Sequence, residues 1–94
     1  MQSYDAKRNE EGRWQVLRYL FNRNPNALDA ASITDGLNRT GFPASRGEVE
    51  EWLKFWVEFQ PQPALKAAQP AWGSTTFYAI TPAGILTVER SGTL

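Results

Sequence analysis

One stretch of this 94-residue chain, PASRGEVEEWLKFWVEFQ from Pro43 to Gln60, constrains its fold more than any other. Ser45 and Glu48 stand three apart, the spacing of a capping box. In that motif the serine hydroxyl accepts from the third residue's backbone N–H, and the glutamate carboxylate reaches back to the serine N–H. The spacing predicts a helix that starts at Arg46. At about 100° per residue, Val49, Trp52, Leu53, Trp56 and Phe59 gather on one side. Glu51, Lys54 and Glu58 gather on the other, and Phe55 falls at the edge of the apolar face. The run QPQP that follows stops the helix, since proline removes a donor and clashes with the preceding turn. So short a helix with so broad an aromatic stripe gains its stability from what it packs against. The rest of the chain must supply that surface.

Other segments have the right periodicity. From Glu11 to Pro25, Trp14, Leu17 and Phe21 recur at helical spacing, with Val16 and Leu20 widening the stripe. Residues 1–10 read as a loose arm or a frayed first turn ahead of this helix. From Leu28 to Gly41, Ala30, Ile33 and Leu37 form a second stripe. Asp29 is placed to cap this helix by accepting from a free backbone N–H, and Gly41 suits the positive φ of a helix end. Gly36, inside the helix, costs about 1 kcal/mol relative to alanine, and a second helix crossing close by would account for it. Ala64–Ala68 is a short β-compatible segment. Ser74–Ile80 is rich in β-branched and aromatic residues, with Thr76, Tyr78 and Ile80 on one face and Thr75, Phe77 and Ala79 on the other. Gln69–Ser74, between them, is a turn. Thr81 and Pro82 are the N-cap and first residue of a last helix, in which Ile85 and Val88 close the core. Residues 91–94 are a frayed tail. Trp14, Trp52 and Trp56 are all expected in the core.

The chain holds ten basic and ten acidic residues and no histidine or cysteine. Zero net charge gives no general attraction to nucleic acid or to an anionic membrane. Without histidine and cysteine there is no disulfide, no Ser–His or Cys–His pair and no zinc site of the usual kind. Neither nucleotide-binding glycine motif is present. These absences point away from an enzyme, a metal or a cofactor. No apolar run is long enough to span a bilayer and the first residues do not form a signal peptide, so a cytoplasmic protein with no membrane partner is expected.

The order helix, helix, helix, hairpin, helix within residues 1–94 resembles the winged helix-turn-helix superfamily, a single α+β domain of three bundled helices, a β-hairpin wing and a short C-terminal helix. Helices two and three, joined by TGFPAS, are similar to its helix-turn-helix. ALKAAQPAWGSTTFYAI is similar to its wing. ITPAGILTVE is similar to the hydrophobic-Thr-x-x-Gly start of its last helix. Gly41, Ser45 and Arg46 match a Gly-x-x-x-Ser-Arg pattern in small winged-helix proteins of Mu-like prophages. The resemblance implies a transcriptional-regulator-like protein whose partner is double-stranded DNA, with helix three in the major groove and the wing on backbone or minor groove. The DNA-binding candidates are then Arg46, Arg39, Lys54 and Lys66, with Lys7 and Arg8 on the arm and Arg13, Arg18 and Arg23 available for a basic strip. Arg46 has an alternative, an ion pair with Glu50 one helical turn on.

The charge pattern opens a second reading, a winged-helix module that binds protein and not DNA. Glu50, Glu51 and Glu58 would face phosphate without a counterion, and from Ala67 to Ile80 there is no lysine or arginine. Through Arg46 the chain carries seven basic and five acidic residues, and after it three and five. Trp72 in the turn, Phe77 and Phe55 are surplus aromatics of the kind that anchor interfaces. Each also has a structural alternative, Trp72 folding back over the hairpin and Phe55 packing on helix one. A symmetric homodimer would satisfy both readings.

Overall fold

The computed structural model describes residues 3–91, without the side chains of residues 3–5. Its elements are α1 (Ser3–Asn22), β1 (Leu28–Asp29), α2 (Ala30–Arg39), α3 (Arg46–Val57), β2 (Leu65–Ala68), β3 (Phe77–Ile80) and α4 (Pro82–Arg90). The three strands form one antiparallel sheet in the order β1-β3-β2. The described part of the fold is therefore α+β. Among the described residues no helix is long and apolar enough to cross a membrane.

The largest correction is at the N-terminus. Residues 3–10, expected as an arm, are the first turns of α1. Their polarity hides two long-range anchors. Arg8 binds the start of α3, and Asn9 Oδ1 accepts from Trp52 Nε1 at 3.1 Å. Met1 and Gln2, and residues 92–94 of the expected tail, lie outside the described residues. Ser91 is the C-cap of α4.

β1 is an element that the periodicity does not reveal, because two residues carry no period. Leu28 pairs with Tyr78 and Asp29 with Phe77, which fastens the chain ahead of α2 to the sheet. Asp29 does precede α2, but its carboxylate accepts from the Ser32 hydroxyl at 2.6 Å and caps no backbone N–H. The third strand is shorter than the β-rich run suggests. Only Phe77–Ile80 pairs with β2, from Leu65↔Ile80 to Ala68↔Phe77.

Helix three starts as expected. Ser45 Oγ accepts from Glu48 N and Glu48 Oε1 accepts from Ser45 N. Val49, Trp52, Leu53 and Trp56 are buried between α1, α2 and the sheet, beside Leu17, Leu20, Ile33, Leu37, Leu65 and Val88. The two buried indoles satisfy their donors on α1, since Trp56 Nε1 donates to Arg13 O at 2.6 Å as Trp52 does to Asn9. A buried indole N–H without an acceptor would cost a desolvation penalty. Trp14 departs from expectation. It is half-buried and packs edge-on to Trp56, ring centroids 5.3 Å apart, at the rim of the core. Gly36 meets the expected crossing helix, for a Cβ there would collide with the Tyr19 phenol of α1. Gly41 holds φ at +97°, as its place after α2 requires.

Gly47 gives a simple test of helix α3. It is exposed in the first turn, and a Cβ there would meet nothing closer than Ser45 Oγ at 4.0 Å. Gly47→Ala should therefore stabilise the protein by about 0.5–1 kcal/mol through reduced chain entropy, read as a higher urea midpoint at constant slope.

Candidate interaction surfaces

The exposed face of α3 is dominated by carboxylates. Arg46 lies in its first turn with Nε 3.2 Å from Glu50 Oε2, both side chains largely in solvent. Arg39, at the end of α2, has Nη1 3.8 Å from Asp35 Oδ2. Each is the i,i+4 pair of an ordinary helix surface, worth little on its own, but each places a negative charge beside the guanidinium that would meet DNA. Lys54 is exposed one face along and shares a shallow cleft with Glu48, Glu51 and Glu58. Lys66 is exposed on β2, a different element again. The four DNA-binding candidates thus sit on α2, α3 and β2, three of them beside carboxylates.

Two of the three arginines of the expected basic strip pack on rings, and the third, Arg18, lines a groove where α1 meets α4. The Arg13 guanidinium lies 4.1 Å from the Phe55 ring centroid, and that of Arg23 lies 3.7 Å from Tyr19. Arg8, expected on a free arm, grips the α2–α3 connection. Its Nε donates to Glu48 Oε2 at 2.9 Å, and Nη2 donates to Glu48 Oε1 at 3.0 Å and to Pro43 O at 2.7 Å. The same guanidinium lies over the Phe42 and Trp52 rings.

Glu48 therefore closes the capping box and receives Arg8 together. The Arg8 hydrogen bonds, followed by the backbone N–H of Ser45, pull its pKa from 4.5 down to about 2. The folded state holds its proton more weakly than the unfolded state, so this contribution is complete above about pH 4.5 and is lost as pH falls toward 2. Urea midpoints measured across that window should fall with acid in the wild type and less steeply in Glu48→Gln.

In the first turns of α3, Arg46 and Glu50 are close enough to Tyr78 to act on its charge. Burial, followed by the Glu50 carboxylate, pushes the Tyr78 phenol up, and Arg46 opposes that shift. The hydrogen bond from Ser32 holds the Asp29 carboxyl below its usual range, with a small contribution from Arg46. Opposite charges alternate across this corner of the surface.

The aromatic candidates separate cleanly. Trp72, between β2 and β3, is 89% exposed and does not fold back over the hairpin. Phe55 takes its structural alternative. It is half-buried, edge-on to Trp56 at 5.0 Å, against Phe59 and under Arg13 of α1. Phe77 is half-buried in the middle strand, between Asp29 of β1 and Ala68 of β2.

Sequence periodicity gave no hint of a groove of about 1080 Å3 where α1 meets α4 and the end of α3. Trp14 and Phe59 line it, together with Lys7, Arg18, Thr87 and Arg90. The only signal for it was that Trp14 belongs to a helix whose other face is charged. Periodicity places Trp14 in the core because it shares its spacing with Leu17 and Phe21.

Compared with protein families, characterised proteins and solved structures, the chain shows no match.

Proposed function

We propose that this chain is a winged-helix protein–protein interaction module whose contact residue is Trp72 at the wing tip. The element order α1-β1-α2-α3-β2-β3-α4, with β1 pairing on β3, agrees with a winged helix-turn-helix. The observation that carries the reading is the 89% exposure of Trp72. An indole left in water contributes nothing to folding, whereas at the centre of a contact it is among the most effective anchors. From Ala67 to Ile80 the wing around it offers no cation to a phosphate backbone, Lys66 standing alone at its base, and the cations of α2 and α3 are matched by carboxylates. Nothing in the reading calls for catalysis or a cofactor.

DNA binding is the second reading. It is favoured by Arg46, exposed in the first turn of the helix that a helix-turn-helix would place in the major groove.

A photo-crosslinking residue at position 72, with one at the exposed Glu51 as control, separates the two in cells. The interaction module gives a discrete protein adduct from position 72 and none from position 51. Adducts confined to nucleic acid, or no adduct from position 72, would overturn it.

A further inference from the structure

We propose that the hairpin tip of one molecule docks, Trp72 first, into the α1–α4 groove of a second copy. This rests on the reading of Trp72 as a protein-binding anchor and names its partner. The groove, at about 1080 Å3, has ample room for an indole, and Trp14 and Phe59 give it aromatic walls. Lys7, Arg18 and Arg90 also line it, and none of the three makes an ion pair or hydrogen bond within the described residues.

The complementarity is one of charge. The face of an indole is the negative end of its quadrupole, and tryptophan is the ring that attracts cations best. This protein already sets guanidinium groups over Phe55 and Tyr19. The carboxylates of Glu10 and Glu11 line the same groove and can accept the indole N–H, which a phenylalanine could not offer. The incoming hairpin, Ala67–Ile80, has no charged residue, so docking brings no further ion into the groove and leaves its cations to the indole face. Trp72 makes little contact within its own chain, so the described residues of each molecule present one groove and one exposed tip.

Such a contact is heterologous, and one tip with one groove per molecule propagates into open chains unless the rotation closes a ring. A single tryptophan buries roughly 200 Å2, well short of the roughly 800 Å2 per partner of a stable complex. Association is therefore weak and concentration-dependent.

Sedimentation velocity up to ~1 mM, in the millimolar range where weak contacts register, tests this with two variants. Trp72→Ala removes the tip and keeps the groove. Thr87→Arg fills the groove and keeps the tip. Wild type should grow past dimer with concentration, and each variant alone should stay monomeric with an unchanged melting temperature. Their equimolar mixture should form a dimer and stop there, since one tip and one groove remain. A mixture no larger than its components would overturn groove docking. If the wild type nonetheless self-associated and Trp72→Ala did not, the contact would be tip to tip and the anchor reading would survive. A wild type that stays monomeric also overturns the proposal, and the crosslink at position 72 then decides the anchor reading separately.

Discussion

Trp52→Ala is expected to destabilise the protein by about 3–5 kcal/mol, enough to leave much of it unfolded at room temperature if its stability lies near the low end of the usual 5–15 kcal/mol. The indole is 2% exposed and sits where three elements meet. A Cβ on Gly12 of α1 would collide with its six-membered ring. Phe42, just after α2, packs against it at 5.8 Å. Its N–H is bonded to Asn9. Removing it leaves a cavity against α1, strands the Asn9 side chain and takes away the surface under Arg8. Chemical denaturation followed by far-ultraviolet circular dichroism checks the prediction. A loss under 1 kcal/mol would mean that α1 does not lie on α3 as described. Gly12→Ala probes the same contact from the other side and should also destabilise, because a rigid buried ring has little room to retreat.

Gly84→Ala is the second large effect, about 3 kcal/mol, or a fall in melting temperature of roughly 12–24 °C for a domain of this size. A methyl group at this position meets a backbone carbonyl, that of Ala64, as well as Ile80. That peptide group is fixed on both sides. Ala64 N donates to Trp56 O at 2.9 Å, and Ala64 O accepts from Thr81 N at 3.0 Å. The Thr81 hydroxyl adds a bond to Pro63 O and receives Gly84 N, which caps α4. With no flexible side chain to move aside, α4 must shift off the β2 entrance. Differential scanning calorimetry should show the drop, while Gly47→Ala, the same substitution in open space, moves the other way. A neutral Gly84→Ala would contradict the docking of α4.

Much of this architecture is legible in the residues. The Ser45–Glu48 box fixes the start of α3, Thr81–Pro82 fixes that of α4, and the apolar spacing of α2 and α3 names their buried faces correctly. These are local signals, set within a few residues of one another. Failures occurred where the deciding interaction spans the chain. Residues 3–10 look like an arm because their partners, Glu48 and Trp52, are some forty positions away. β1 is visible only through its pairing with β3. Trp14 has the period of a core residue, yet α4 leaves a groove over it. Among the candidate contacts, the alternatives open for Arg46, Phe55 and Trp72 turned on whether a side chain had a neighbour, and composition cannot answer that. The structure gives Arg46 a carboxylate and Phe55 an arginine, and leaves Trp72 in water.

The central claim is that this surface is built for protein and not for the DNA backbone. Its most direct test is a titration of the wild type with random-sequence duplex at low salt, followed by fluorescence anisotropy, where phosphate neutralisation would have its greatest effect. The account predicts no binding up to ~100 μM, the weak end of non-specific affinity. Binding at ~1 μM that weakens steeply as salt rises, and weakens further in Arg46→Ala, would contradict it.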